Sequence, residues 1–170
     1  TVFIFPPLKR KPITFTYYLN QDIALTGRIN EYYIYNIHEK KFYPLLGEKD
    51  MPPRDRILQF HYFDSLHNHL YFSNYFGGIY KYDLSGQLLY NWKVGTSPSE
   101  IINGNIGFIV PKNDSILWLG NAEGNGLAIL NLHTNHFEYV VRNINIPSSL
   151  PDNSVMHNYT DREGNEWIAT

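Results

Sequence analysis

Leu70-Tyr71-Phe72-Ser73-Asn74, Leu117-Trp118-Leu119-Gly120-Asn121 and Glu166-Trp167-Ile168-Ala169-Thr170 are three copies of one short pattern. Each is a strand-like apolar core closed by small or polar residues. Their aromatic residues stand at 71, 118 and 167, spacings of 47 and 49 residues. A weaker copy, Ile23-Ala24-Leu25-Thr26-Gly27, puts Ala24 another 47 residues before Tyr71. Self-similarity at such a period is read before any site, because it determines the architecture in which a site can exist.

The residues around each core recur too. Gly78-Ile79-Tyr80-Lys81-Tyr82-Asp83-Leu84 matches Gly126-Leu127-Ala128-Ile129-Leu130-Asn131-Leu132, and Tyr32-Tyr33-Ile34-Tyr35-Asn36-Ile37 is the earlier equivalent. A polar turn follows each (38–41, 85–87 and 133–136), and then a further apolar run begins at Phe42, Leu88 or Phe137. Ahead of each core lies another: Ile13 to Leu19, Ile57 to Phe63, Ile106 to Val110 and Val155 to Tyr159. One unit is therefore four short strands joined by tight turns. Such a meander has two apolar faces and cannot bury both alone. Units stacked face to face around an axis bury them, which is a β-propeller. A β-sandwich also has short strands, but it does not repeat a four-part sequence cycle.

The expected fold is all-β, with about three and a half four-stranded antiparallel blades. The units fall at 13–46, 56–94 and 105–142, the first two strands of a further blade at 154–170, and the last strand of a preceding blade at 1–5. Since a propeller closes with about 4–8 blades, the remaining pairing is expected from the rest of a propeller, from a second copy of the chain (a homodimer), or from Val2–Phe5.

Composition narrows the functional classes. Aromatic residues make up 16% of the 170 residues, led by 14 Tyr and 10 Phe, which suits half-buried strand faces. Net charge is −2 and no basic stripe exists, which argues against a nucleic-acid partner. The triplet Lys9-Arg10-Lys11 reads as a solvated turn. The absence of cysteine excludes disulfides, thiolate metal sites and a Cys nucleophile. No apolar run approaches the ~20 residues that span a bilayer, so no membrane contact is expected from this stretch. No signal peptide is seen, because the chain opens in the strand-like run Val2–Phe5.

Residues 150–170 read Leu-Pro-Asp-Asn-Ser-Val-Met-His-Asn-Tyr-Thr-Asp-Arg-Glu-Gly-Asn-Glu-Trp-Ile-Ala-Thr. This closely resembles the two-component regulator propeller repeat, in which Leu-Pro-x-Asn precedes a strand and an Asp-x-x-Gly-Asn turn leads into Trp-Ile-Gly-Thr. Only Ala169 departs, standing for Gly. The unit at 105–142 resembles it through Trp118, Gly120 and Gly126, with Asn121 for Thr and Pro111–Ser115 for the Asp-x-x-Gly turn. The earlier units are looser. The resemblance implies the extracytoplasmic, periplasmic sensor of a hybrid two-component system of the kind found in gut Bacteroidetes. There, propeller blades precede an immunoglobulin-like domain, a membrane helix and a histidine kinase, and many such sensors respond to oligosaccharides.

The residues that carry the resemblance have structural reasons to be there. Asp161 suits the backbone donors of its own turn, Gly164 a left-handed turn position, and Asn165 completes the motif. Trp167 is expected to fill the gap between neighbouring blades. Trp118, Gly120 and Gly126 take the same structural reading.

Candidate binding residues lie in the loop between the second and third strands of each unit: Asn74, Tyr75 and Phe76 in one, Asn121, Glu123 and Asn125 in the next. Tyr75 and Phe76 are apolar residues in an expected loop. His67 and His69 alternate and are expected in a hairpin turn before Leu70. A metal takes about three or four protein ligands, and no other Cys/His cluster completes a set, so no metal and no cofactor are expected. The carboxylates Asp50, Asp55, Asp64 and Glu100 lie outside or at the ends of the expected strands, and no pair stands out for glycoside hydrolysis. The resulting expectation is a non-catalytic sensor propeller that detects an oligosaccharide. A protein-interaction scaffold is the alternative, followed by part of a propeller lyase or hydrolase.

Overall fold

Alternation along single strands shows how the units are stacked. Leu70 and Phe72 enter one apolar cluster and Tyr71, between them, enters the next; Ile79 joins the second cluster while Tyr80 and Tyr82 return to the first. Successive side chains on a strand point to opposite faces, so a strand that feeds two cores belongs to a sheet sandwiched between two others.

The computed structural model describes residues 13–28, 31–47 and 58–170. The expected strand at 1–5, the Lys9–Lys11 triplet, Asp50 and Asp55 lie outside the described residues. The first sheet is ordered β1 (Phe15–Tyr18), β2 (Ile23–Arg28), β3 (Glu31–Asn36) and β4 (Lys41–Leu46). The second runs β5 (Gln59–Asp64), β6 (His69–Asn74), β7 (Gly78–Asp83) and β8 (Leu88–Trp92). The third runs β9 (Ile106–Asn113), β10 (Ile116–Asn121), β11 (Leu127–Asn131) and β12 (His136–Val140). A two-stranded sheet pairs β13 (His157–Thr160) with β14 (Glu166–Ala169). All these pairings are antiparallel between sequence neighbours. Among the described residues no helix is long and apolar enough to cross a membrane.

Three cores lie between successive sheets. Leu25, Tyr32, Ile34, Leu70, Phe72 and Tyr82 join the first to the second. Tyr71, Ile79, Trp92, Ile109, Leu119 and Leu130 join the second to the third. Phe108, Leu127 and Val155, flanked by Val110, Trp118, Leu150 and Ile168, join the third to the β13–β14 pair. Strand β9 meets β5, β6 and β13, so the first strands of neighbouring sheets lie side by side.

The hairpins share one local chemistry. Asn36, Asp64, Asp83, Asn113, Asn131 and Asp161 each end a strand or follow it, and the Oδ1 atom of each accepts a backbone N–H two to four residues on. A short Asx side chain that mimics a backbone carbonyl closes such a turn. In several turns a left-handed residue completes the reversal: Lys40, Asn68, Gly86, Asn135 and Gly164.

Two first strands carry extra residues. Phe60 pairs with Phe72 and Tyr62 with Tyr71, leaving His61 as the bulge in β5. Asn113 pairs with Ile116 and Pro111 with Leu117, leaving Lys112 as the bulge in β9. Thus β9 continues through Pro111–Asn113, which the sequence pattern assigns to a turn; a bulge accommodates a residue such as Pro that cannot donate to the ladder. The Lys112 ammonium lies 4.2 Å from the centroid of the Trp118 ring and ion-pairs with Glu166, tying β9 to β14.

Gly120 shows why a small residue closes the repeated core. A Cβ there would lie 2.2 Å from Cε1 of Phe108 and 2.6 Å from the carbonyl oxygen of Val155. Gly126 is buried, and its N–H donates to the carbonyl of Asn153 at 2.8 Å, another tie across the third core.

In the described residues the Trp167 side chain is 61% exposed. Its indole N–H donates to Oδ2 of Asp161 at 2.9 Å, and Asn165 Nδ2 donates to the same oxygen at 3.0 Å.

These donors hold the Asp161 carboxyl down to about 2: the indole N–H contributes most, followed by Asn165, while burial opposes them. A carboxyl held below its ordinary value supports the turn at all pH values above that ordinary value, and the support is lost as the pH falls through the folded-state value. The side-chain carboxyl carbon of Asp161 is expected to titrate near pH 2 by NMR, and Trp167→Phe is expected to raise that midpoint. A midpoint at the ordinary value in the wild-type chain would exclude the Trp167 contact.

Candidate functional site

At one end of the second and third sheets, the β6–β7 turn, the β10–β11 turn and the 103–105 segment meet. Four of the six sequence-nominated residues are accessible there, and two are not. Asn121 is 0% exposed and Asn74 is also buried, so neither can take a ligand. Asn74 Oδ1 accepts the N–H groups of Phe76 and Gly77 at 3.1 and 2.9 Å, closing its own turn. Asn121 and Asn103 exchange amide hydrogen bonds at 2.8 and 3.1 Å, and Asn121 Oδ1 accepts the Glu123 N–H at 3.0 Å. The strand-end Asn is used as a turn cap, for the same reason as in the hairpins.

What those caps hold in place is an exposed rim. The rings of Tyr75 and Phe76 meet edge to face, with centroids 4.6 Å apart at 72°. Phe76 is 59% exposed, a large apolar face in water. The Tyr75 hydroxyl donates to the Glu123 carboxylate, a bond that raises the Tyr75 pKa above its ordinary value. Glu123 Oε1 also accepts Asn105 Nδ2 at 3.2 Å. Gly104 N–H donates to the Tyr75 carbonyl at 3.2 Å. A Cβ on Gly104 would lie 2.0 Å from the Asn74 carbonyl oxygen, so the segment can approach only as glycine. Asn125 is half-buried just before β11. The rim therefore joins two aromatic faces from one blade to a carboxylate and an amide held by the next. Asn103 and Asn105 are not nominated by the repeat; the turn-forming run Asn103-Gly104-Asn105 is their only local signal.

The opposite end of the same two sheets holds a cleft of about 270 Å³, lined by Tyr62, Asp64 and His67 on one side and Lys112 and Asp114 on the other. Two expectations change here. His69 is not in the turn but opens β6. And the pair His67 and His69, which lacks a third Cys or His, gains Asp64: one ligand atom from each of the three lies within 4.8 Å of the others. Glu100 accepts the Ser97 N–H at 3.0 Å, a turn-closing role.

This geometry belongs to a β-propeller, of which the described residues build three four-stranded sheets and one two-stranded sheet. The structure resembles the extracellular domain assigned to the hybrid two component system BT3049 from B. thetaiotaomicron, with a TM-score of 0.68 and 19% identity over 98% of this chain and 23% of that one. It resembles the computationally designed Ika4 protein, with a TM-score of 0.57 and 12% identity over 99% of this chain and 97% of that one. It also resembles the RRP9 WD40 repeats, with a TM-score of 0.53 and 9% identity over 72% of this chain and 36% of that one. The chain thus spans about a quarter of the length of the BT3049 domain. No family model and no curated protein matches the sequence.

Proposed function

We propose that the chain is part of an extracytoplasmic sensor propeller of a two-component system, which binds an oligosaccharide and performs no chemistry itself. The observation that carries the ligand class is the rim of Tyr75, Phe76, Asn105 and Glu123. A sugar ring offers an apolar C–H face and an equatorial belt of hydroxyls. Exposed aromatic faces suit the first, and a carboxylate and an amide suit the second. The repeat signature at 150–170 and the likeness in fold to an extracellular domain of a hybrid two-component system support the class. Binding would favour one arrangement of the sensor over another, by no more than its difference in affinity for the two. The shift would pass to a kinase across the inner membrane, with the sensor in the periplasm.

Calorimetric titration of the chain against a panel of neutral and acidic oligosaccharides tests this reading. At least one is expected to bind, and Phe76→Ala is expected to weaken it by about 10-fold, the equivalent of a lost aromatic contact of about 1.4 kcal/mol. Phe76 is exposed, so that variant leaves the cores intact. A folded chain that binds none of the panel, or a Phe76→Ala variant that binds as the wild type does, would overturn it.

A further inference from the structure

We propose that Asp64, His67 and His69 form a site for a divalent transition metal of the zinc class, at the end of the propeller opposite the aromatic rim. Two imidazoles and one carboxylate are a donor set suited to such ions, and an open fourth position is a familiar arrangement for them.

The local fold explains why these three converge. Asp64 Oδ1 is consumed by the hairpin, accepting the N–H groups of Leu66 and His67 at 3.1 and 3.2 Å. Its second oxygen is turned to the histidines: Oδ2 lies 2.7 Å from His67 Nδ1 and 3.9 Å from His69 Nδ1. In the equivalent Asp161 turn the second oxygen is occupied by Trp167 and Asn165. Asn68, at a φ of 58°, reverses the chain between the histidines, and their rings lie nearly parallel with centroids 5.7 Å apart.

One atom in this group lacks a hydrogen bond. His69 Nδ1 is shielded from solvent and makes no hydrogen bond. A buried polar atom of this kind costs free energy unless something satisfies it, and a metal would do so. A tetrahedral ion bonded at about 2.0–2.1 Å needs its donors about 3.3 Å apart. His67 is exposed and able to swing to that position, while His69 and Asp64 are held by the strands they border. Asp64 and His67 also line the cleft between the second and third blades, so the fourth position faces a space that a water or a ligand group can enter.

Calorimetry of the 170-residue chain with zinc chloride at pH 7.5, repeated at pH 5.5, tests the site. One zinc per chain is expected at the higher pH, with weaker binding at the lower, because the imidazoles must be deprotonated to ligate. Asp64→Asn is the sharpest variant: Asn36, Asn113 and Asn131 close the sister turns, so the hairpin is kept while the anionic ligand is lost. Asp64→Asn and His69→Ala are each expected to weaken zinc by at least about 10-fold, no less than the loss of a ligand's supporting partner costs. A His133→Ala, His136→Ala double variant is expected to bind as the wild type does. A readout on the unaltered chain is line broadening by cobalt(II) in NMR, expected first at the His67 and His69 rings. Absence of zinc binding, wild-type affinity in Asp64→Asn and His69→Ala, or broadening centred on other histidines would each overturn the proposal. None of these outcomes depends on whether the rim binds a sugar.

Discussion

Trp92→Ala is expected to destabilise the chain by about 3–5 kcal/mol, the range for removing a large buried aromatic side chain. Trp92 ends β8 and is 2% exposed. It lies in the core between the second and third blades, where its ring stacks with Tyr71 at 6.3 Å and tilts against Tyr90 at 4.6 Å. Its indole N–H reaches across to Asn135 Oδ1 in the turn between β11 and β12, at 3.1 Å. The residue therefore fills a gap between blades and satisfies a turn on the neighbour. Trp92→Phe separates these contributions, since it keeps most of the ring and loses the hydrogen bond, at about 0.5–1.5 kcal/mol for that bond. Urea unfolding of the three proteins is the measurement. A Trp92→Ala midpoint close to that of Trp92→Phe would mean that the ring does not hold the two blades together.

The second large effect is acid sensitivity through His61. This residue is the bulge of β5, and its Nε2 lies 2.8 Å from the Ser73 hydroxyl. Burial pushes its pKa down to about 4 from an ordinary 6.5. A histidine with a lowered folded-state pKa is bound by more protons in the unfolded chain between those two values. Stability is then fully present above pH 6.5 and is lost as the pH falls toward 4. The loss attributable to this group amounts to about 3 kcal/mol at its limit. His61→Gln keeps a polar partner for Ser73 and has nothing to titrate. The difference in urea stability between wild type and His61→Gln is expected to move against the wild type between pH 7 and pH 4. Parallel pH profiles would show that His61 is hydrated in the folded state.

The four-strand cycle was legible because it rests on local chemistry. Continuous apolar runs such as Leu117–Gly120 mark strands buried on both faces, and an Asp or Asn at a strand end marks a hairpin that closes on its own side chain. The candidate site was legible only in part. Tyr75 and Phe76 stand out as aromatics in a loop, and both are exposed. Asn74 and Asn121 have the same polar character as a binding residue, but their positions at strand ends commit them to capping. Trp167 carries the strongest motif of the chain, and its indole N–H binds the carboxylate of its own hairpin.

What the sequence determined by itself is the period, the strands and the turns, since each depends on residues within a few positions of one another. The tertiary structure alone decided which loops meet. Glu123 reaches Tyr75 because two blades stack in register. Lys112 reaches Glu166 because the third blade stacks on the β13–β14 pair. Side chains separated in sequence become one chemical site only when burial of the apolar faces fixes the sheets that carry them.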